Sequence, residues 1–380
     1  RPHQHLPGDN HSKEGGLRVS NRLPSGVKDG LNCRGLGLRE NLPVGGRLKF
    51  FLEAWQKIGA STRVLRWIRR GYPLRFKSEL SRSGNLPKLA LSAHPSIITS
   101  YSDPVKQRAL EMLVQDLETK QCIARMAPGE KGYFSRVFLV PKKSGGYRLV
   151  IDLSQLNKSL AQIPFSMDTL HLVKLALKQG MWATSLDLSD AYHHIPIRPS
   201  SQVFLCFQVG NIRYKYLVLP FGLSSGPWLF TEVVKQVKNW ALKKELALFQ
   251  YLDDWLNLDL DRGRLHESTQ RLVTTCQGLG LLVNISKSEL VPQQIIVFLG
   301  ERLDLIRGKS FPTEERQLKV RKAVEATIKC DRVSLPQAES LLGLLVATYP
   351  TVPWGRLHVR RLQAATISAL RKGRALHPQV

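Results

Sequence analysis

Three aspartates are the residues of this chain best suited to chemistry. Asp253 and Asp254 stand side by side in Tyr251-Leu252-Asp253-Asp254, within the apolar run from Leu246 to Leu260, and Asp187 closes another apolar stretch well upstream. Leu246, Leu248 and Phe249 on one side and Trp255, Leu256 and Leu258 on the other make the pair the tip of a β-hairpin. Ionised carboxylates beside a core are costly to desolvate unless something positive compensates them, so two at one tip point to a metal site. A strand end and a hairpin tip can meet at one edge of a single sheet. Carboxylates gathered there, with substrate phosphates, can hold two Mg²⁺ ions, which lower the pKa of an attacking hydroxyl and stabilise a leaving pyrophosphate. The plainer alternative is that aspartates at strand ends cap helices and form turns. Asp190 suits that role better than metal ligation.

The elements that must position these acids are legible from periodicity and punctuation. Two short basic helices are expected near 47–58 and 61–70, the second with Ser61 as N-cap and Gly71 as terminator. Asp103-Pro104 starts a further helix with Leu110, Leu113, Val114 and Leu117 at helical spacing, ending near Lys120. Val137–Val140 and Tyr147–Ile151 flank Pro141 to Gly146, a hairpin with a basic, glycine-containing tip. Trp182–Leu188 reads as a strand, Val203–Val209 and Ile212–Val218 as a pair across Gly210-Asn211, and Gly226–Glu245 as a helix. Helices at about 313–329, 335–348 and 355–372 complete the chain, the second with a capping box from Ser334 to Gln337 and the third ending at Gly373. This is an α+β layout.

Composition narrows the partner. The chain has 380 residues, is 43% hydrophobic and carries a formal net charge of +26. Residues 1–150 hold 27 basic and 11 acidic residues, 151–300 hold 14 and 12, and 301–380 hold 15 and 7. A near-neutral middle bearing the acids thus lies between basic flanks, which points to nucleic acid before membrane. The bland reading is that surface Lys and Arg only aid solubility. Cys33, Cys122, Cys206, Cys276 and Cys330 are too dispersed for a zinc pair or a disulfide framework, which suits a reducing, intracellular compartment, cytoplasmic or nuclear. No apolar run is long enough for a membrane span. Residues 1–46, rich in Gly, Pro, Asn and Ser, read as disordered or a linker. The chain begins Arg-Pro-His-Gln-His without an initiator Met, which suggests a fragment of a longer polyprotein.

Taken in order, the motifs resemble those of reverse transcriptases. Asp187 to Tyr192 is similar to the first palm motif. Leu219-Pro220-Phe221-Gly222 with Gly226-Pro227 is similar to the second, and Tyr251-Leu252-Asp253-Asp254 to the third. Gly280–Lys287 is similar to the fourth, Val297-Phe298-Leu299-Gly300 to the primer grip, and Val140–Val150 to the fingers hairpin of LTR-type enzymes. Gly45-Gly46-Arg47-Leu48 with Trp55, and Leu341-Leu342-Gly343 through His358, resemble segments flanking the polymerase of DIRS-type, tyrosine-recombinase-encoding retrotransposons.

The resemblance implies a right-hand polymerase fold: an N-terminal helical extension and start of the fingers at 47–132, fingers and palm at 133–300, and a helical thumb or connection at 301–380. It implies RNA-directed DNA polymerisation on an RNA or DNA template with primer, using dNTPs and two Mg²⁺ ions, or Mn²⁺. Asp187, Asp253, Asp254 and the backbone carbonyl of Leu188 would hold metal. Lys142 or Lys143 and Arg148 would clamp the triphosphate, and the amides near Asp190 and Ala191 would meet it. Tyr192 would be a steric gate against a ribose 2′-hydroxyl; otherwise it is simply core. Phe221 and Gly222 would pack on the nascent base pair. Lys287 would protonate the pyrophosphate or else be merely solvated. Phe298, Leu299 and Gly300 would grip the primer.

Two positions depart from family patterns: Ser154 stands where many LTR-type fingers carry a base, and Phe221 replaces the retroviral Gln. His193-His194 invites a zinc reading, but adjacent strand residues face opposite ways. His358 and Arg361 have a recombinase-like spacing with no tyrosine after Tyr349 to serve as nucleophile. Past Glu315 only Glu325, Asp331 and Glu339 remain, too few carboxylates for RNase H; that activity and a recombinase would belong elsewhere on a parent polyprotein. The alternatives are a catalytically silent nucleic-acid-binding remnant and an RNA-dependent RNA polymerase, the latter at odds with bulky Tyr192.

Overall fold

In the computed structural model, which describes residues 42–77, 91–93, 95, 97–142, 145–330, 332–349, 351–352 and 354–372, most expected elements form. The chain divides into two units, Arg1–Leu42 and Pro43–Val380. The linker expected over 1–46 lies outside the described residues up to Asn41, and every described helix and strand belongs to the second unit.

A 3₁₀ turn at Arg47–Phe51 leads into α1 (Leu52–Lys57) and α2 (Thr62–Arg70). Ser61 Oγ accepts from the Val64 amide at the start of α2, and Gly71 ends it at φ +80°. Asp103 caps α3 (Pro104–Thr119), whose Leu110, Val114 and Leu117 are buried. After β1 (Ile123–Arg125), β2 (Val137–Pro141) and β3 (Tyr147–Ile151) form the expected antiparallel hairpin, with Val137 opposite Ile151 and Pro141 opposite Tyr147. Two short helices, α4 (Ser154–Ser159) and α5 (Leu170–Ala176), precede β4 (Trp182–Asp187).

Beyond β4 the chain makes a 3₁₀ turn at Ala191–His194, then α6 (Pro199–Gln202), β5 (Cys206–Val209) and β6 (Ile212–Tyr216). The strand expected from Val203 thus begins at Cys206, because Pro199 starts a helical turn and the Phe204 and Leu205 amides donate back to Ser201 and Gln202. α7 (Gly226–Leu242) buries Leu229, Val233 and Val237. Next come β7 (Ala247–Tyr251) and β8 (Asp254–Asp259), followed by α8 (Arg262–Gly278).

β7, β8, β4 and β9 (Glu289–Gln293) make one sheet in that order. β10 (Ile295–Phe298), β11 (Glu301–Asp304) and β12 (Lys309–Pro312) form a second sheet, so the helical end of the chain begins only with α9 (Glu314–Ile328). α10 (Leu335–Val346) carries the capping box, and α11 (Gly355–Lys372) ends before Gly373, which lies outside the described residues.

One core cluster joins the two sheets: Val173, Ala183, Leu256, Leu258, Ile296, Phe298, Leu303 and Leu305 are all buried together. The acids therefore stand on a platform packed from both sides of β4. Across that platform Thr184 Oγ1 and Thr269 Oγ1 are 2.7 Å apart, and Asn257 Nδ2 donates to Ser268 Oγ at 3.0 Å, which ties α8 to the sheet.

Candidate active site

β4 and β8 pair so that Asp187 lies directly opposite Asp254, with Asp253 in the turn between β7 and β8. Leu252 holds that turn at φ +53°, a conformation that costs a bulky residue about 1–3 kcal/mol. Two bonds secure it: Trp255 Nε1 donates to the Leu252 carbonyl at 2.8 Å, and the Leu188 amide donates to the Asp253 carbonyl at 3.1 Å. The end of β4 is clamped as well. The Asp187 amide donates to Ser288 Oγ at 3.0 Å, Asn284 N–H donates to the Asp187 carbonyl at 2.8 Å, and Ser189 N–H to the Leu282 carbonyl at 2.8 Å. Among the described residues no backbone N–H donates to the Leu188 carbonyl.

Charge is concentrated here, offset only in part by Lys287. No ion pair among the described residues engages Asp187, Asp253 or Asp254. Burial against the sheet, then the charges of Asp253 and Asp187, push Asp254 up to about 6, while Lys287 pulls the other way. Asp253 is raised by burial first and then by the Asp187 charge, again opposed by Lys287. Both side chains are open to solvent on their outer side, so a cation can reach them. A cleft of about 250 Å³ beside them is lined by Asp187, Asp254, Lys287, Phe298, Leu299 and Gly300 among others. Two of the acids, the candidate proton donor and the expected primer grip thus share one cavity. Leu299 and Gly300 make the β10–β11 turn at φ +50° and +74°.

Tyr192 is buried and stacks on Phe221, centroids 4.9 Å apart and planes 11° from parallel, with Phe230 at 5.3 Å. Its hydroxyl is held well above its usual pKa, first by burial and then by the Asp253 charge. Gly226 lets the ring sit there, since a Cβ would lie 3.2 Å from Tyr192 Cε2. Gly222 is at φ +98°, and a Cβ there would lie 2.9 Å from the Ile151 carbonyl. Asn157 brackets this loop, donating to the Gly222 carbonyl and accepting from the Ser224 amide, both at 2.9 Å.

Other expected residues stand elsewhere. Lys142 and Arg148 are exposed on the β2–β3 hairpin and do not line the cleft, and Lys143 lies outside the described residues. Asp190, at φ +48°, occupies the N-cap position before the 3₁₀ turn, but its carboxylate caps nothing; it pairs with Lys120 at 3.2 Å. Ala191 follows, buried. His193 and His194 are in that 3₁₀ turn, not on a strand, and both are buried, which depresses them to about 4 and about 3. Among the described residues the four cysteines are unpaired.

Sequence reasoning missed Ser288, Asn284 and Asn157. Each acts on a backbone group, so its partner is set by tertiary placement and no local spacing announces it. Asp168 was missed for the same reason; it accepts from the Gln250 amide at 2.8 Å and pairs with Lys238, fastening β7 to α7.

Comparison with known proteins agrees with this geometry. Residues 140–303 match the family model described as reverse transcriptase (RNA-dependent DNA polymerase). Protein P of duck hepatitis B virus (isolate white Shanghai duck S31) is 30% identical over 208 residues, 51% of this chain and 25% of the viral protein. The retrovirus-related Pol polyprotein from transposon opus of Drosophila melanogaster is 26% identical over 216 residues, 54% of this chain and 20% of the polyprotein. The chain therefore spans a quarter or less of the length of these curated relatives. In fold, it is similar to the foamy viral protease-reverse transcriptase solved with double-stranded DNA (TM-score 0.60, 19% identity, 85% of this chain and 56% of that one). The same viral enzyme with an RNA/DNA hybrid gives 0.59 at 18% identity, covering 85% of this chain and 43% of that one. The architecture is the right-hand polymerase fold, and residues 140–303 are similar to the reverse transcriptase family.

Proposed function

We propose that this chain is the RNA-directed DNA polymerase of a retroelement, extending a primer 3′-hydroxyl with deoxynucleotides on an RNA or DNA template. One observation carries the reading: Asp187 opposite Asp254, with Asp253 in the adjoining turn, engaged in no ion pair among the described residues and beside a cleft. The donor set is all oxygen, which fits Mg²⁺ or Mn²⁺. Among the described residues no three His, Cys, Asp or Glu side chains enclose a metal by themselves. That suits an ion held by one or two carboxylates plus substrate phosphates. Asp187, Asp253 and the Leu188 carbonyl would hold it, with Asp254 assisting. When bound, two such ions would supply charge neutralisation at the triphosphate and a more acidic 3′-hydroxyl.

The chain's own residues do the rest. Ser288 and Asn284 hold the Asp187 backbone, and Lys287 offers the leaving pyrophosphate a proton. Tyr192, wedged by Phe221 and Phe230, stands as the sugar gate. Arg148 and one of Lys142 or Lys143 would reach the triphosphate from the fingers hairpin, and Phe298 to Gly300 would bear on the primer end. The finer lineage is DIRS-type. Its support is the Gly45–Leu48 segment with Trp55 and the 341–358 segment, the former seated on the domain by Trp55 Nε1 donating to the Leu279 carbonyl at 2.9 Å. RNase H and recombinase domains would lie on a parent polyprotein. No helix among the described residues is long and apolar enough to cross a membrane; the compartment proposed for this polymerase is the cytoplasm or nucleus.

Extension of oligo(dT) on poly(rA) with dTTP and Mg²⁺ tests the activity. Robust extension is expected; template binding without extension would make the chain a silent remnant. Equal use of rNTPs and dNTPs by the wild type would instead favour an RNA polymerase.

A further inference from the structure

A second cleft, of about 260 Å³, lies between the Gly45-Gly46 turn, the end of α2 and the segments Pro196–Ile197 and Leu217–Val218. It shares no lining residue with the carboxylate cleft. Pro196, Ile197, Pro199, Leu217 and Val218 give it apolar walls, and Lys49, Arg69 and Arg70 line it with positive charge. All three cations are exposed. Nearby bases have their acids, Arg63 with Glu232, Lys120 with Asp116 and Asp190, and Lys215 with Glu130. Lys49, Arg69 and Arg70 join no ion pair among the described residues. A helix C-terminus favours cations, which accounts for Arg69 and Arg70 at the end of α2. It does not account for Lys49, which comes from a different element to the same cleft.

The chemistry selects the class of anion. The Gly45, Gly46 and Gly71 amides are already spent on Lys120, His193 and Trp67 carbonyls, so no backbone nest is left for a single tightly held phosphate. The lining has no aromatic ring on which a base could stack. Cations along an apolar trough, without stacking platforms, suit a sugar–phosphate backbone followed by charge alone. We propose that this cleft binds the backbone of a single-stranded segment of the template, outside the catalytic cleft. Only the identity of the polyanion as template rests on the polymerase reading. The link to the active site is short: the Gly46 amide donates to the His193 carbonyl at 2.8 Å, in the turn that follows β4.

The test compares wild type with the triple variant Lys49→Ala/Arg69→Ala/Arg70→Ala on two primer–templates, one whose single-stranded 5′ template overhang is only a few nucleotides long and one with a long single-stranded 5′ template tail. Binding is followed by anisotropy across a salt series, and extension is measured on both. The variant is expected to extend the short-overhang substrate at the wild-type rate, which also shows that it folds. On the tailed substrate its log–log salt slope becomes shallower by about 2, at ~0.7 per phosphate contact on a single strand, equally for RNA and DNA tails. An unchanged slope, a loss confined to one kind of tail, an equal loss on the short-overhang substrate, or competition by polyglutamate as effective as by the tail would each overturn the proposal. If neither protein extends any primer yet the slopes differ as stated, the polymerase reading fails and the cleft assignment stands.

Discussion

Asp254 is the residue where charge and function collide. Its pKa in the folded protein, about 6, lies above that of an unfolded aspartate, so the native state keeps the extra proton between those values. Stability of the metal-free protein therefore falls as pH rises through that interval, while divalent-ion binding, which needs the ionised form, strengthens over it. Calorimetric melting with and without Mg²⁺ is expected to show a metal-dependent rise in Tm above about pH 6 that disappears below it. A rise independent of pH would place the ion elsewhere. At Tyr192, replacement by Ala removes the ring proposed to fill the sugar space. Ribonucleotide incorporation, scored by alkali-sensitive product, is expected to rise at least about tenfold, the equivalent of ~1.4 kcal/mol of discrimination; unchanged discrimination would leave Tyr192 as core alone. At this scale the sequence was most legible. Adjacent acids at a hairpin tip announce themselves through the cost of desolvation, whereas Ser288 and Asn157, which bind only backbone groups, carry no such signal.

Elements were legible where local rules dominate. The Ser61, Asp103 and Ser334 caps, the Gly210-Asn211 turn and the β2–β3 hairpin all stand where side-chain and backbone preferences put them. The Val203–Leu205 segment did not, because Pro199 just upstream favours a helical start and apolar runs do not distinguish strand from buried turn. α8 was not anticipated at all: its mean polarity is high and its contact with the sheet is made by the polar residues Ser268 and Thr269 as well as by Leu265 and Leu272. That contact is open to test. Thr269→Val keeps the volume but orphans Thr184, which is fully buried, and urea denaturation is expected to show a loss of about 1–3 kcal/mol. At the N-terminal extension, Trp55→Phe leaves the Leu279 carbonyl without its indole donor. A comparable loss is expected there, and no loss would mean that the extension contributes little to the folded domain.

Across the molecule, packing is uneven in a way that fits a polymerase. The sheet carrying the acids is covered on both faces and shares a core with β10–β12, whereas α9 buries no residue and α10 and α11 meet over a small cluster of Val333, Ala338 and Ala369. One buried acid joins the two regions: Glu301, fully buried on β11, accepts from Arg316 of α9 at 2.9 Å. Native-state hydrogen exchange is expected to be slowest in β4 and β8 and faster in α9 to α11, because protection follows buried contacts. Uniform protection would contradict this division. The charge asymmetry along the chain announced a polyanionic partner, but which cations face one cleft became visible only when α2 and the Gly45-Gly46 turn were placed against Pro196 and Val218.

We assign nucleotidyl transfer to the acids at the β4 and β7–β8 edge, and Asp253 is the place to test that assignment. Asp253→Asn changes one charge at the tip and leaves the turn's backbone bonds in place. Primer extension with Mg²⁺ and equilibrium binding of the same primer–template, measured on one preparation, give the most direct answer. Extension is expected to fall by at least about a thousandfold, some 4 kcal/mol of transition-state stabilisation, while duplex affinity changes less than about twofold. Extension at the wild-type rate by Asp253→Asn would contradict the assignment.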